Sequence, residues 1–145
     1  MDDEILIPEG GDFVLYCKHN ENFDFGDLEQ FYSKYDLNVN VEYEINASDF
    51  WVKVTDAEDE GINFFTESSL YKKDLLLESN YSEEFVNKFD SEYLIEAKDY
   101  KEALMILVLI LYISEKTEIF VYDTYNGVYL DKVKIKKLIE NEYNK

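Results

Sequence analysis

The residues of this chain that could do chemistry are, above all, acids. Between Asp56 and Glu67, acids stand at positions 1, 3, 5 and 12 of a twelve-residue stretch, with Gly61 at position 6. This is the spacing of a calcium-binding EF-hand loop. However, Glu58 and Glu60 stand where such a loop favours Asp or Asn, and both flanking segments are typical of strands. We therefore interpret the stretch as the acidic tip of a hairpin, with calcium binding as the alternative.

A second candidate is the pair Cys17 and His19, which alternate on an expected strand and so share one of its faces. Two residues along a strand lie about 7 Å apart at Cα, too far for a good direct hydrogen bond between a nucleophile and its base. A zinc site needs three or four ligands, and the chain has one Cys and one His. We predict a buried structural thiol and a surface histidine.

Sequence motifs of known catalytic and cofactor sites are missing. The chain has no GxSxG, no GxGxxG and no GxxxxGK[ST], and it has only five glycines. With 33 acids, no single carboxylate pair stands out as a hydrolytic centre. We predict that the protein is not an enzyme and has no catalytic residue, metal or cofactor. A small enzyme that uses Cys17 or a carboxylate pair is the alternative.

The net charge of the chain limits the classes of partner that it can bind. Its 145 residues carry 33 acids and 14 basic residues, all lysine, for a formal net charge of −19. Nucleic acids and anionic membranes would repel such a chain, because Lys and Arg drive binding to phosphate. A basic protein partner is expected instead. The sequence shows no secretory signal, and its longest apolar run, residues 103–113, is too short to span a membrane. A cytoplasmic protein is therefore expected.

Tyrosines form a second feature suited to binding. Tyr122, Tyr125 and Tyr129 gather around the turn signal Asn126-Gly127, together with an acid at position 123. Tyrosine is enriched in protein interfaces because it adds contact area and a hydroxyl at low entropic cost. The alternative is that these rings only border the core.

Hydrophobic periodicity predicts the elements that hold these residues. Strands are expected over residues 12–19, 38–45, 50–55, 62–66, 118–122 and 128–130, and helices over residues 25–35, 70–78, 82–89 and 98–113. The tail, residues 132–143, is expected to start extended and to end as a helix. We predict one α+β domain over residues 1–145, with a mostly antiparallel sheet and helices packed on one face. Its opening β-α-β-β is expected to be partly ferredoxin-like.

Two segments resemble the immunity proteins of bacterial polymorphic-toxin systems, in particular the SitI-like α+β group. One is FWVKVT, residues 50–55, which leads into the acidic turn. The other is KEALMILVLILYISEKTEIFVYDTYNGVYLD, residues 101–131: a long apolar helix, a strand ending in Asp123, a glycine turn and a second strand. The resemblance implies a cytosolic protein without catalysis that binds and blocks one cognate toxin.

We therefore expect an acidic immunity or inhibitor protein that occludes the active cleft of a basic toxin or enzyme. Acids would stand where phosphates lie and would steer the encounter, while aromatic side chains would prolong it. The residues expected to bind the partner are Asp56, Glu58, Asp59, Glu60, Tyr122, Asp123, Tyr125 and Tyr129. The alternative is a phage-type nucleic-acid mimic that inhibits a host defence nuclease.

Overall fold

The elements alternate in the order that hydrophobic periodicity predicts, with one strand added. A computed structural model describes residues 6–144, which form seven strands and five helices. The strands are β1 (Gly11–Cys17), β2 (Val39–Ile45), β3 (Phe50–Asp56), β4 (Asn63–Ser69), β5 (Ser91–Ala97), β6 (Ile119–Asp123) and β7 (Val128–Leu130). The helices are α1 (Leu28–Ser33), α2 (Lys73–Glu78), α3 (Glu83–Val86), α4 (Tyr100–Ser114) and α5 (Lys132–Tyr143).

All the strands join one sheet in the order β2-β3-β4-β5-β1-β6-β7, and every neighbouring pair is antiparallel. The α+β class and the antiparallel sheet are therefore confirmed. Side chains alternate between two faces, as the pleat requires. In β1, Phe13 and Leu15 point to one face, which we call the core face, and Val14 and Tyr16 point to the other, the second face.

The core face is covered by α4. This helix is apolar all round, which requires cover on both of its sides, and nearly all of its residues are buried. The sheet covers one side, and α1 and α5 cover the other. The hydroxyl of Tyr32 in α1 donates a hydrogen bond to the carbonyl of Met105 at 2.6 Å. Asp99 caps the start of α4 by accepting a hydrogen bond from the amide of Glu102 at 2.9 Å.

The second face carries its own helices, so the expected one-sided arrangement holds for α1, α4 and α5 but not for α2 and α3. Leu76 of α2 and Val86 of α3 are fully buried against Tyr16, Phe89 and Phe120. They cover strands β1, β6 and β7, which we call the covered half of the second face. The second-face side chains of β2, β3 and β4 form the open half.

Three further details differ from the sequence expectation. Hydrophobic periodicity does not predict β5, yet this strand lies at the centre of the sheet. The tail is helical from Lys132 onward rather than extended at first. In a ferredoxin-like unit one strand separates β1 from β2, whereas here β3, β4 and β5 lie between them.

The helices of residues 6–144 include none that is long and apolar enough to cross a membrane.

Candidate partner-binding surface

The two segments expected to bind a partner are hairpin turns at the same end of the sheet. Strands β3, β5 and β6 run in one direction because each step across the sheet is antiparallel. The turn from β3 to β4 and the turn from β6 to β7 therefore share an end. Four strand spacings of about 4.8 Å separate them, or about 19 Å in total. The two segments can touch one large partner, but they do not form a single patch.

Asp56 is the residue that shapes the first turn. Its side chain is 4 % exposed and forms an ion pair with Lys101 at the start of α4. It also accepts hydrogen bonds from the amides of Glu58 at 2.8 Å and Asp59 at 3.2 Å. Burial alone would raise the pKa of Asp56, but the Lys101 and amide hydrogen bonds outweigh it, and the pKa lies below its ordinary value. This carboxylate fixes the hairpin to the core.

The acids at the tip of this turn are exposed. Glu58, Asp59 and Glu60 all face solvent, and Asp59 also accepts a hydrogen bond from the amide of Gly61 at 3.1 Å. Strands rather than helices flank the turn. In the described part of the chain, no three His, Cys, Asp or Glu side chains converge on a position that could hold a metal ion. The tip presents three carboxylates to solvent.

Asp123 plays the same structural part in the second turn. It is 1 % exposed and accepts hydrogen bonds from the amides of Tyr125 at 3.0 Å and Asn126 at 3.2 Å. The side-chain amide of Asn126 donates a further bond to it at 2.7 Å. Gly127 completes the turn with a positive φ of 67°. Only the ring of Tyr125 projects from this turn into solvent.

The other two tyrosines lie on the second face instead. Tyr122 and Tyr129 are opposite each other on β6 and β7, with ring centroids 4.7 Å apart. Both are half-buried and line a groove of about 500 Å³ between α2 and the sheet. The tyrosine cluster of the sequence is therefore divided between a solvent-exposed turn and a groove.

The sequence reasoning did not select an exposed pair of aromatic side chains on the sheet, Trp51 and Phe65. In the open half, Trp51 of β3 is 37 % exposed and Phe65 of β4 is 50 % exposed. Phe65 lies opposite Lys53, which places Trp51 on its diagonal, within reach of an aromatic side chain. Among residues 6–144, no helix covers them, since α2 and α3 pack on the covered half. The signal in the sequence is that both rings occupy the polar phase of neighbouring strands.

Glutamates lie beside these rings, together with Lys53, which is directly opposite Phe65. Glu42 and Glu44 are exposed on the edge strand β2, and Glu44 lies directly opposite Trp51. Glu67 is exposed two residues beyond Phe65, next to Leu94 of β5. Side chains on one face of neighbouring strands lie about 5 Å apart. The open half thus combines uncovered aromatic area with negative charge, and it continues to the acidic tip of the β3–β4 turn.

The side chains of Cys17 and His19 lie in different environments. The Cys17 side chain is completely buried, as expected, and burial followed by the charge of Asp90 raises the pKa of its thiol to about 12. The His19 ring turns away to donate a hydrogen bond from Nε2 to the carbonyl of Asn46 at 2.9 Å. Its Nδ1 is buried and has no hydrogen-bond partner among residues 6–144. The ring borders an open polar cleft of about 740 Å³ at the opposite end of the sheet from the hairpin turns.

No protein-family model matches the chain, and no curated protein or solved structure matches it either. The resemblance to immunity proteins therefore stays a prediction from the sequence.

Proposed function

We propose that this chain is a non-catalytic acidic binding protein that neutralises a basic toxin or enzyme by covering its active cleft. The observation that carries the proposal is the open half of the second face. There, two uncovered aromatic rings, Trp51 and Phe65, lie among exposed glutamates. The whole chain carries a formal net charge of −19. In this proposal the protein acts in the cytoplasm, where a cognate toxin or nuclease would reach nucleic acid.

The charge and the rings act at different stages of binding. The negative field raises the rate of encounter with a basic cleft, and salt screens this effect. Once the partner is in contact, the acids of the turn at Glu58, Asp59 and Glu60 take the places that phosphates would fill. Trp51 and Phe65 then lose their remaining water contact, and buried aromatic anchors slow dissociation.

The residues that the sequence predicts to bind the partner have different roles in this proposal. Glu58, Asp59, Glu60 and Tyr125 lie at one end of the sheet and contact the rim of the partner. Asp56 and Asp123 act by holding their turns in shape, because their carboxylates are buried and already engaged by backbone amides.

The test is affinity capture with matched variants. The variant Phe65→Thr/Glu67→Gln removes one exposed ring and one acid from the open half. The control Val133→Ala/Glu140→Gln removes one exposed apolar side chain and one acid from α5, on the other side of the sheet. Each protein is immobilised and exposed to lysate of the source organism, and bound proteins are eluted with a salt gradient.

We expect the unmodified chain and the α5 control to retain the same basic protein up to moderate salt, and the open-half variant to lose it. Addition of the unmodified chain should then inhibit the enzymatic activity of the retained protein. Equal retention by the two variants, or recovery of no basic protein, would contradict the proposal. Recovery of a host defence nuclease rather than a toxin would favour the nucleic-acid mimic.

A further inference from the structure

The groove between α2 and the sheet has the walls of a binding site. Tyr16, Tyr122 and Tyr129 line its floor and Leu75 lines its rim; we call it the tyrosine groove. It encloses about 500 Å³ on the covered half of the second face. Its floor presents aromatic rings, and its rim offers an exposed leucine against which an aliphatic chain can pack.

The hydroxyl groups of this floor are largely unengaged. Among residues 6–144, neither Tyr16 nor Tyr122 makes a hydrogen bond through its hydroxyl, and that of Tyr129 lies 3.4 Å from the Ser79 hydroxyl. Burial, and then the charge of Glu92, raise the pKa of Tyr16 well above its ordinary value. The Tyr16 hydroxyl therefore stays protonated over the physiological pH range, and its oxygen can accept a hydrogen bond from a ligand.

Glu92 is a buried acid that also lines the groove. Its side chain is 5 % exposed, and its oxygens accept hydrogen bonds from the Ser69 hydroxyl at 2.8 Å and the Lys72 amide at 3.3 Å. Within the described residues, no lysine or histidine nitrogen lies within salt-bridge distance of it. A carboxylate has about four acceptor positions, so capacity remains. Because Glu92 is part of the groove lining, a cationic ligand can donate charge-assisted hydrogen bonds to these positions.

Of the possible ligands, a guanidinium group fits this set of groups best. An anion would be repelled by Glu92 and by Glu78 of α2, which also lines the groove. An apolar ligand would leave the carboxylate and the hydroxyls without partners. A guanidinium is planar, stacks on tyrosine rings and donates up to five hydrogen bonds to carboxylate and hydroxyl oxygens.

The groove is continuous with the open half of the second face. One row of residues that face each other on neighbouring strands runs Glu67, Leu94, Val14, Tyr122, Tyr129 from β4 to β7. Leu94 lines both the groove and a small pocket beside Phe65. A partner seated on the open half can therefore place one of its side chains in the groove.

We propose that the tyrosine groove binds the side chain of an arginine presented by the basic protein partner. This inference rests on the proposed function for the source of the arginine. The guanidinium lies against the tyrosine rings and donates hydrogen bonds to Glu92, while the methylenes of the arginine side chain pack on Leu75.

The test uses the purified full chain and a capped pentapeptide with one central arginine. Binding is followed by two-dimensional NMR and calorimetry, next to the same peptide with citrulline, which keeps the shape and loses the charge. We expect amide shifts at Tyr16, Tyr122 and Tyr129, and citrulline binding at least about tenfold weaker, a difference of about 1.4 kcal/mol. Glu92→Gln should weaken arginine binding to a similar extent, and Glu140→Gln on α5, on the other side of the sheet, should leave it unchanged.

Lys72→Met gives a variant that does not depend on altering a buried residue. Lys72 is exposed at the groove, and its positive charge opposes a cationic ligand. Its removal should tighten arginine binding about twofold to threefold. The proposal would be overturned if the citrulline peptide, or the same peptide with lysine in place of arginine, bound as tightly as the arginine peptide. Amide shifts confined to other surfaces would also overturn it.

The two proposals can fail separately. The peptide titration contains no partner protein, so its failure would leave the capture experiment on Phe65→Thr/Glu67→Gln valid. If that variant retained the partner while the arginine peptide still bound, the open half would be the wrong surface and the tyrosine groove would stand.

Discussion

The two halves of the second face are built from the same kinds of residue and do different work. In the covered half, Phe120 stacks on Tyr129 with centroids 5.2 Å apart and planes 3° from parallel, and Phe85 of α3 meets its ring edge-on at 5.0 Å. In the open half, Trp51 and Phe65 have no helix above them. Similar aromatic side chains stabilise the fold in one half and stay available for a partner in the other.

This difference shows that the helices packed on the second face, rather than the alternation along the strands, determine whether an aromatic side chain is buried or exposed. Alternation along a strand tells which side chains share a face. It does not tell whether a helix from elsewhere in the chain returns to cover that face. Here α2 and α3 are short, and they cover only three strands. The remaining uncovered aromatic area is the part of the sheet that suits a partner.

The largest expected effect is the loss of the ring at the centre of the covered half. Phe120→Ala removes a side chain that contacts the rings of Tyr81, Phe85, Phe89 and Tyr129. We expect the free energy of unfolding to fall by about 3–5 kcal/mol, since the cavity is enclosed by α3 and the sheet. Urea denaturation followed by circular dichroism measures it.

A decrease in unfolding free energy of less than about 1 kcal/mol would contradict the proposed difference between the two halves, because it would show that α2 and α3 cover this half only loosely. Partner capture by any folded Phe120→Ala protein should be largely retained, since Phe120 belongs neither to the open half nor to the lining of the tyrosine groove.

Most of the sheet could be predicted because its strands alternate clearly. Six of the strands and the apolar helix α4 follow from periodicity alone. The strand β5 was missed although Tyr93, Ile95 and Ala97 alternate within it. It lies between two helical patterns, and its state depends on pairing with β1 and β4, which are distant in sequence. Such long-range pairing leaves little local signal.

The candidate site could be predicted only in part. The acids of the β3–β4 turn were selected correctly as exposed, apart from Asp56. Its burial depends on Lys101, 45 positions further along the chain, and no local pattern reveals that ion pair. Trp51 alternates with the buried Phe50 and Val52 along β3, which places it on the opposite face. Whether it lay under a helix depended on where α2 and α3 pack, which is a tertiary property.

The next largest loss of stability is expected when the buried carboxylate of Asp56, which holds the β3–β4 turn, is removed. Asp56→Ala removes both the ion pair with Lys101 and the acceptor for the turn amides, and should cost about 1–3 kcal/mol of unfolding free energy. Asp56→Asn keeps an oxygen for the amides and should cost about 1 kcal/mol or less, because Lys101 is partly exposed and regains water. Urea denaturation at pH 7 compares the two.

The ion pair also predicts a pH dependence. Because the folded pKa of Asp56 is lowered, its stabilising contribution is complete above the unfolded value of about 3.9 and is lost as the pH falls through the folded value. The stability difference between the unmodified chain and Asp56→Asn should therefore be constant from pH 7 to about pH 5 and vanish in stronger acid. A difference that grows on acidification would contradict the ion pair.

A smaller effect is expected from the cap of the covering helix. Ser82 accepts a hydrogen bond from the amide of Phe85 at 3.1 Å and begins α3. Ser82→Ala should lower the unfolding free energy by about 1 kcal/mol, whereas Ser82→Asp should restore most of it because aspartate caps as well as serine. Hydrogen exchange of α3 amides would show whether the loss is local. Equal stability of all three proteins would mean that α3 is held by packing alone.

The smallest effect on stability is expected for substitutions in the open half, and these test the difference between the two halves most directly. Trp51→Thr and Phe65→Thr remove exposed aromatic area and introduce a β-branched residue, which is suited to a strand. Each should change the free energy of unfolding by less than about 1 kcal/mol, while each weakens capture of the basic partner. Phe120→Ala should show the reverse pattern, with a large stability loss and capture retained. If Trp51→Thr destabilised the protein as much as Phe120→Ala, both halves would be structural, and the open half would no longer stand out as the binding surface.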